Sequence, residues 1–124
     1  WPLYTGYVGL PPAKFVHASG GRVGHAVDSL VSPGVIVSGG EAAGSVLSPG
    51  VFLHSWSSVA DSVLMDNVEV QRHAQINRCI IDKNCVIAAN VRVGFDPEAD
   101  RARGLTVTES GLTVIPKGTV VRDA

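Results

Sequence analysis

The sequence predicts an all-β fold: a parallel β-helix of about four stacked triangular coils, with a short cap helix and terminal strands. Three observations predict it. The 124-residue chain is rich in Val, holds 14 Gly and is only 6% aromatic, a composition that punctuates helices with β-branched and glycine residues. Rows begun at Asp28, Gly44, Asp61 and Arg78 are offset by 16, 17 and 17 residues, a period of the kind that marks a solenoid. Within the later rows large aliphatics recur in steps of 6, 6 and 5.

Read down the columns, Leu47/Leu64/Ile81, Leu53/Val70/Ile87 and Val59/Ile76/Val93 are all large and apolar. Two residues earlier stand smaller side chains, Ser45/Ser62/Cys79, Val51/Val68/Cys85 and Ser57/Ala74/Val91. Residues two apart in a strand share a side. Each short strand therefore buries one bulky and one smaller residue before turning a corner, and three such strands close a triangle. Stacked triangles align like with like at the inter-strand spacing of about 4.8 Å. A β-sandwich would satisfy the alternation but does not require a sustained 17-residue register.

The elements follow in order. Pro11 and Pro12 make the opening extended. Residues 13–18 and 22–27, flanking Ser19-Gly20-Gly21, predict a hairpin, so residues 1–27 read as a lead-in segment and hairpin. Residues 28–94 read as the β-helix. Its 28–43 row keeps Val31 and Val37 but has Ala42 in a large-aliphatic column, and an irregular first coil is expected there. Residues 95–124 read as the cap. Asp96, Pro97 and Glu98 form a helix start, with an N-cap acceptor, proline at the first position and acid in the first turn. Arg101 and Arg103 sit near the helix end, Gly104 stops it, and two strands follow around Gly111.

Leu30, Val46, Val63 and Ile80 each lie between two inward residues and should point outward as an apolar stripe. Such a stripe marks a packing surface. Either the C-terminal strands of this chain cover it, or another domain or subunit does.

A formal charge of −1 and a pI of about 6.4 show no basic surface for nucleic acid. No apolar run approaches the ~18 residues of a membrane span. The chain opens Trp1-Pro2-Leu3 and is expected to be a piece of a longer protein. Cys79 and Cys85 are too few for a disulfide framework and too poorly supplied with further ligands for zinc; buried small hydrophobes are expected. His17 and His25 fall in the front hairpin, and His54 and His73 near corners. None has an orienting acid beside it in sequence, so surface or structural roles are expected, and Trp56 near a corner reads as a rim residue or a partner contact. No catalytic residue and no metal site is expected in this chain. Lys83 follows Ile81-Asp82 on an exposed turn and Lys117 ends the last strand; together on one side they would suit a phosphate, because an ammonium is a good point-charge partner for it.

The stretches LPPAKFVH (10–17), AVDSLVSPGVIVSGG (26–40), GSVLSPGVFLHSWSSVADSVL (44–64), IDKNCVI (81–87) and VGFDPEADRARGLTVTESG (93–111) resemble, in order and over almost the whole chain, the C-terminal region of bacterial ADP-glucose pyrophosphorylase, also called glucose-1-phosphate adenylyltransferase. The resemblance implies a left-handed coil. It implies an N-terminal nucleotidyltransferase domain, absent here, that joins glucose 1-phosphate and ATP into ADP-glucose and pyrophosphate with Mg²⁺ for glycogen synthesis. It also implies a cytoplasmic homotetramer in which the β-helix packs on the catalytic domain, aids assembly and lines sites for sugar-phosphate or related effectors. No cofactor is implied for this portion. The basic position of the IDK motif falls on Lys83, and that of the terminal V-x-x-K pattern on Lys117; both are associated with activator binding. Ile87-Ala88-Ala89-Asn90 departs from the usual IPPG, and Tyr7-Val8-Gly9 lacks the basic residue often found before LPP. The competing expectation is a hexapeptide acyltransferase domain using acetyl-CoA, with a histidine as the general base.

Overall fold

A computed structural model describes residues 10–16 and 23–122. The strands come in threes. The first coil holds β1 (Lys14–Val16), β2 (His25–Val27) and β3 (Leu30–Val31); the second, β4 (Ile36–Ser38), β5 (Glu41–Ala43) and β6 (Val46–Leu47). The third holds β7 (Phe52–Leu53), β8 (Ser58–Ala60) and β9 (Val63–Leu64), and the fourth β10 (Glu69–Val70), β11 (Gln75–Asn77) and β12 (Cys79–Ile81). A partial coil of β13 (Val86–Ile87) and β14 (Arg92–Val93) leads to α1 (Pro97–Ala102), β15 (Thr106–Val107), β16 (Thr113–Ile115) and β17 (Val120–Val121).

These strands build three walls of a prism. The first wall runs β1-β4-β7-β10-β13-β17 and the second β2-β5-β8-β11-β14. The third runs β3-β6-β9-β12-β16, with β15 on its edge. Every pairing is parallel except β15 on β16. The predicted columns are the registered pairs: Leu47 opposite Leu64, Leu53 opposite Val70 and Val59 opposite Ile76. All of these are fully or almost fully buried, each contributing about 1.5–3 kcal/mol of transfer free energy.

Three expectations about the ends change. Among the described residues β1 and β2 do not pair with each other: β1 pairs in parallel with β4 and β2 with β5, because successive strands of a coil belong to different walls. The turn expected at Ser19-Gly20-Gly21 lies outside the described residues. The walls also extend past residues 28–94 at both ends, from Lys14 to Val121. The 28–43 row, expected to be irregular, keeps its register on every wall, and Ala42 is fully buried between Ala26 and Val59. The missing residue comes out of the corner instead. Three residues, Ser38-Gly39-Gly40, join Val37 to Glu41, where four, His54-Ser55-Trp56-Ser57, join Leu53 to Ser58. Gly40 permits this tight corner, since a Cβ there would lie 2.7 Å from Ser57 Oγ.

The cap matches its sequence signals. Asp96 accepts from the amides of Glu98 and Ala99, Pro97 opens α1, and Gly104 follows it with φ +86°. The chain then re-enters the prism. β16 pairs with β12 in the place a third strand of the coil would take, and Val114 extends the outward stripe opposite Ile80. The C-terminal strands therefore lengthen the stripe and do not cover it. Among the described residues no helix is long and apolar enough to cross a membrane.

In the second, third and fourth coils each corner carries one residue with positive φ. The corner between the second and third walls adds a side-chain ladder. Ser29, Ser45 and Ser62 each donate to the carbonyl two residues before them. They accept, in turn, the amides of Ser45 (3.1 Å), Ser62 (3.3 Å) and Cys79 (3.1 Å) one coil further on. Removing one rung strands a buried amide. Ser62→Ala is expected to lower unfolding free energy by about 1–3 kcal/mol, read as an earlier midpoint in chemical denaturation.

Candidate functional site

The corner between the third and first walls stacks Pro33-Gly34, Pro49-Gly50, Asp66-Asn67, Lys83-Asn84 and Lys117-Gly118. Gly34, Gly50, Asn67, Asn84 and Gly118 all have φ between +59° and +80°. The tight turns bring the preceding side chain to the outside at every level. Lys83 and Lys117, 34 residues apart in sequence, become neighbours one rung apart. The amide of Gly118 donates to the Lys83 carbonyl at 3.0 Å, and that of Asp82 to the Ile115 carbonyl at 3.1 Å. Both lysines are exposed, and among the described residues neither ammonium has an ion-pair partner. The nearest acid in sequence, Asp82, turns its carboxylate to the Lys83 amide at 2.7 Å. Asp66 stands on the rung below Lys83, joined by the Asn84 amide to its carbonyl at 3.0 Å. The edge thus presents two ammonium groups at its upper end.

What holds the upper rung in place is a residue that sequence reasoning missed. Asp100, on α1, is 1% exposed. Its carboxylate accepts the Gly94 amide at 2.9 Å, the Thr113 hydroxyl at 3.2 Å and an Arg103 N–H at 3.1 Å. Gly94 is where the chain leaves the prism and Thr113 is where it returns. The carboxylate staples the two ends of the excursion, and β16, which carries the chain on to Lys117, is anchored through Thr113. Arg103 adds a bond to the Arg92 carbonyl at 2.9 Å. Nothing in the spacing of Pro97–Ala102 distinguishes Asp100 from a solvated helix acid.

The four residues of the expected stripe share one outward column: Leu30 is 70% exposed, Val46, Val63 and Ile80 follow it half-buried, and they are registered opposite one another. Two histidines at the surface face an acid from a neighbouring coil. His54 Nε2 lies 2.8 Å from Glu69 Oε1, with Phe52 stacked on the imidazole at 4.2 Å. His25 Nε2 lies 3.6 Å from Glu41 Oε1. The acids come from neighbouring coils, 15 and 16 residues away, which no local motif reveals. His73 lies at a corner with φ +61°, and His17 lies outside the described residues.

Cys79 and Cys85 are both free and buried. Burial pushes the Cys79 thiol up to about 12, with the Asp100 charge adding to the rise and its hydrogen bonding with Asn77 and Thr113 opposing it. The unfolded chain ionises near the ordinary value of 9.0 and the folded chain does not. This contribution to stability is therefore complete below about pH 9 and declines as pH rises towards 12. Cys79 is expected to resist alkylation at pH 8 and to react only on addition of denaturant, as read by intact mass.

The family described as "GlmU-like, C-terminal hexapeptide" matches residues 11–115. The chain belongs to that family. It is also 62% identical over 123 residues to a glucose-1-phosphate adenylyltransferase of Bifidobacterium adolescentis, covering 99% of this chain and 30% of that protein. Proteins of the same name from Arthrobacter sp. and Parafrankia sp. are 54% and 52% identical, with 98% and 99% of this chain and 26% and 30% of theirs covered. The hexapeptide chain thus spans under a third of the length of these relatives.

Proposed function

We propose that this chain is the regulatory and assembly domain of a glucose-1-phosphate adenylyltransferase, an enzyme that makes ADP-glucose and pyrophosphate from glucose 1-phosphate and ATP for glycogen synthesis. The catalytic groups and the Mg²⁺ site belong to an N-terminal domain of the same chain. The prism supplies packing surfaces for that domain and for the other subunits of a cytoplasmic homotetramer. Its lysine edge holds the phosphate of a sugar-phosphate or related effector. The relatives' shared name supports the activity. The observation that carries the regulatory role is the stacking of Lys83 on Lys117. Two unpaired ammonium groups on adjacent rungs suit the multiple oxygens of one phosphate, and they border the third wall, whose apolar stripe calls for a partner.

In the full-length enzyme, Lys83→Ala and Lys117→Ala are each expected to raise the effector concentration for half-activation roughly tenfold or more, the scale of one charge-assisted contact of about 1.5–3 kcal/mol. Basal turnover stays near wild type. Unchanged activation in both variants removes the lysine edge from the effector site.

Val63→Asp places a carboxylate at the centre of the stripe without touching the core. It is expected to lower the assembled mass by light scattering, or to loosen the domain from its catalytic partner as two separate melting transitions. Wild-type mass together with a single wild-type melt would mean that the stripe faces solvent.

A further inference from the structure

The corner between the first and second walls carries a feature that neither the lysine edge nor the stripe explains. Its left-handed positions are Gly39, Trp56, His73 and Asn90, with φ from +61° to +77°. Glycine and asparagine accept this conformation readily, whereas a bulky side chain is strained in it. Trp56, at φ +62°, is nonetheless 46% exposed. It takes on backbone strain without burying its ring, a combination that points to a functional position.

Trp56 forms one wall of a cleft of about 210 Å³. The cleft crosses three rungs. Val23 and His25 come from the first coil, Gly39, Gly40 and Glu41 from the second, and Trp56, Ser57 and Ser58 from the third. Its middle rung is the corner that is one residue short, so two glycines without side chains form the floor between the indole and Val23. With outer rungs roughly 9.6 Å apart, twice the ~4.8 Å strand spacing, one ring fits between the walls. The volume is below the ~300–1,000 Å³ of pockets for drug-sized ligands, which again points to a single ring.

The chemistry of the lining narrows the ligand. Among the described residues no lysine or arginine lines the cleft, in contrast to the lysine edge. The Glu41 carboxylate lies 3.6 Å from His25 Nε2, which sets both groups side by side where they can hydrogen-bond the hydroxyls of a neutral ligand. Trp56 and Val23 offer apolar surface, and Glu41, His25 and Ser58 offer hydrogen-bonding groups at the side. The outward column of the second wall that continues the cleft is polar, running His25, Glu41, Ser58, Gln75 and Arg92, with Gln75 accepting from Arg92 at 3.1 Å. We propose that this cleft binds one pyranose ring of an uncharged carbohydrate. The apolar face of the sugar stacks on Trp56, and its hydroxyls bond to Glu41 and His25.

The test uses the full-length protein with maltohexaose as the probe and saturation-transfer NMR as the readout. Wild type is expected to bind in the millimolar range. Trp56→Asn is expected to weaken binding roughly tenfold, a loss of about 1.4 kcal/mol, while leaving the melting temperature unchanged or raised, because asparagine suits the left-handed corner as Asn90 already does. Glu41→Gln weakens binding several-fold. Lys83→Ala leaves it unchanged, so the result is independent of the effector site. No transfer to maltohexaose in wild type, or equal transfer in Trp56→Asn, overturns the proposal. Displacement of the sugar by choline at equal concentration also overturns it, by showing a cation cleft.

Discussion

A hydroxyl at the corner between the second and third walls donates within its own coil and accepts from the next, and so fixes both the spacing and the phase of the stack. Ser29, Ser45 and Ser62 do this in succession, and Ser62 passes the bond to Cys79. The parallel ladders alone would set the distance between rungs. The inward side chains make a slip costly, since moving a strand by one residue would turn Leu64 or Val70 to water. The ladder adds a directional polar bond to that constraint. With phase fixed, every corner repeats at the same place, and whatever a corner carries forms a column.

Columns turn distant residues into neighbours. Lys83 and Lys117 meet because the excursion through α1 and β15 returns the chain to the wall it would have occupied without it. That return rests on Asp100. A buried carboxylate is costly unless it is paired and hydrogen-bonded, and here one bonds to the exit at Gly94, the re-entry at Thr113 and the guanidinium of Arg103. The same carboxylate raises the Cys79 thiol. The serine ladder, the cysteine and the cap thus form one polar seam along this corner of the prism.

The three walls differ outward as much as they agree inward. The third presents Leu30, Val46, Val63, Ile80 and Val114. The first mixes Ile36, Phe52 and Val86 with Glu69, and the second sets a polar column from His25 to Arg92 beside the smaller apolar side chains Val27, Ala43 and Ala60. The lysine edge joins the third wall to the first. The tryptophan cleft joins the first to the second, beside the polar face. An effector held at one edge and a neutral ligand at another would then occupy different environments, one beside the packing surface and one facing water.

The amino-acid order determined the coil and its phase. Large aliphatics at steps of 6, 6 and 5 have one compact solution, and the helix start at Asp96-Pro97-Glu98 is local chemistry that needs no partner. It also determined the outward direction of Leu30, Val46, Val63 and Ile80, because inward and outward positions alternate strictly. What it left open was everything that depends on which rung lies against which. Among the described residues β1 and β2 pair with the next coil and not with each other, because proximity along the chain does not decide pairing where successive strands lie in different walls. The pairings His54–Glu69 and His25–Glu41, the staple at Asp100 and the cleft over the shortened Gly39-Gly40 corner all join residues a full coil or an excursion apart. Tertiary structure alone brings such residues together, since the forces that fix the register act between inward side chains and leave no mark on the outward ones they align.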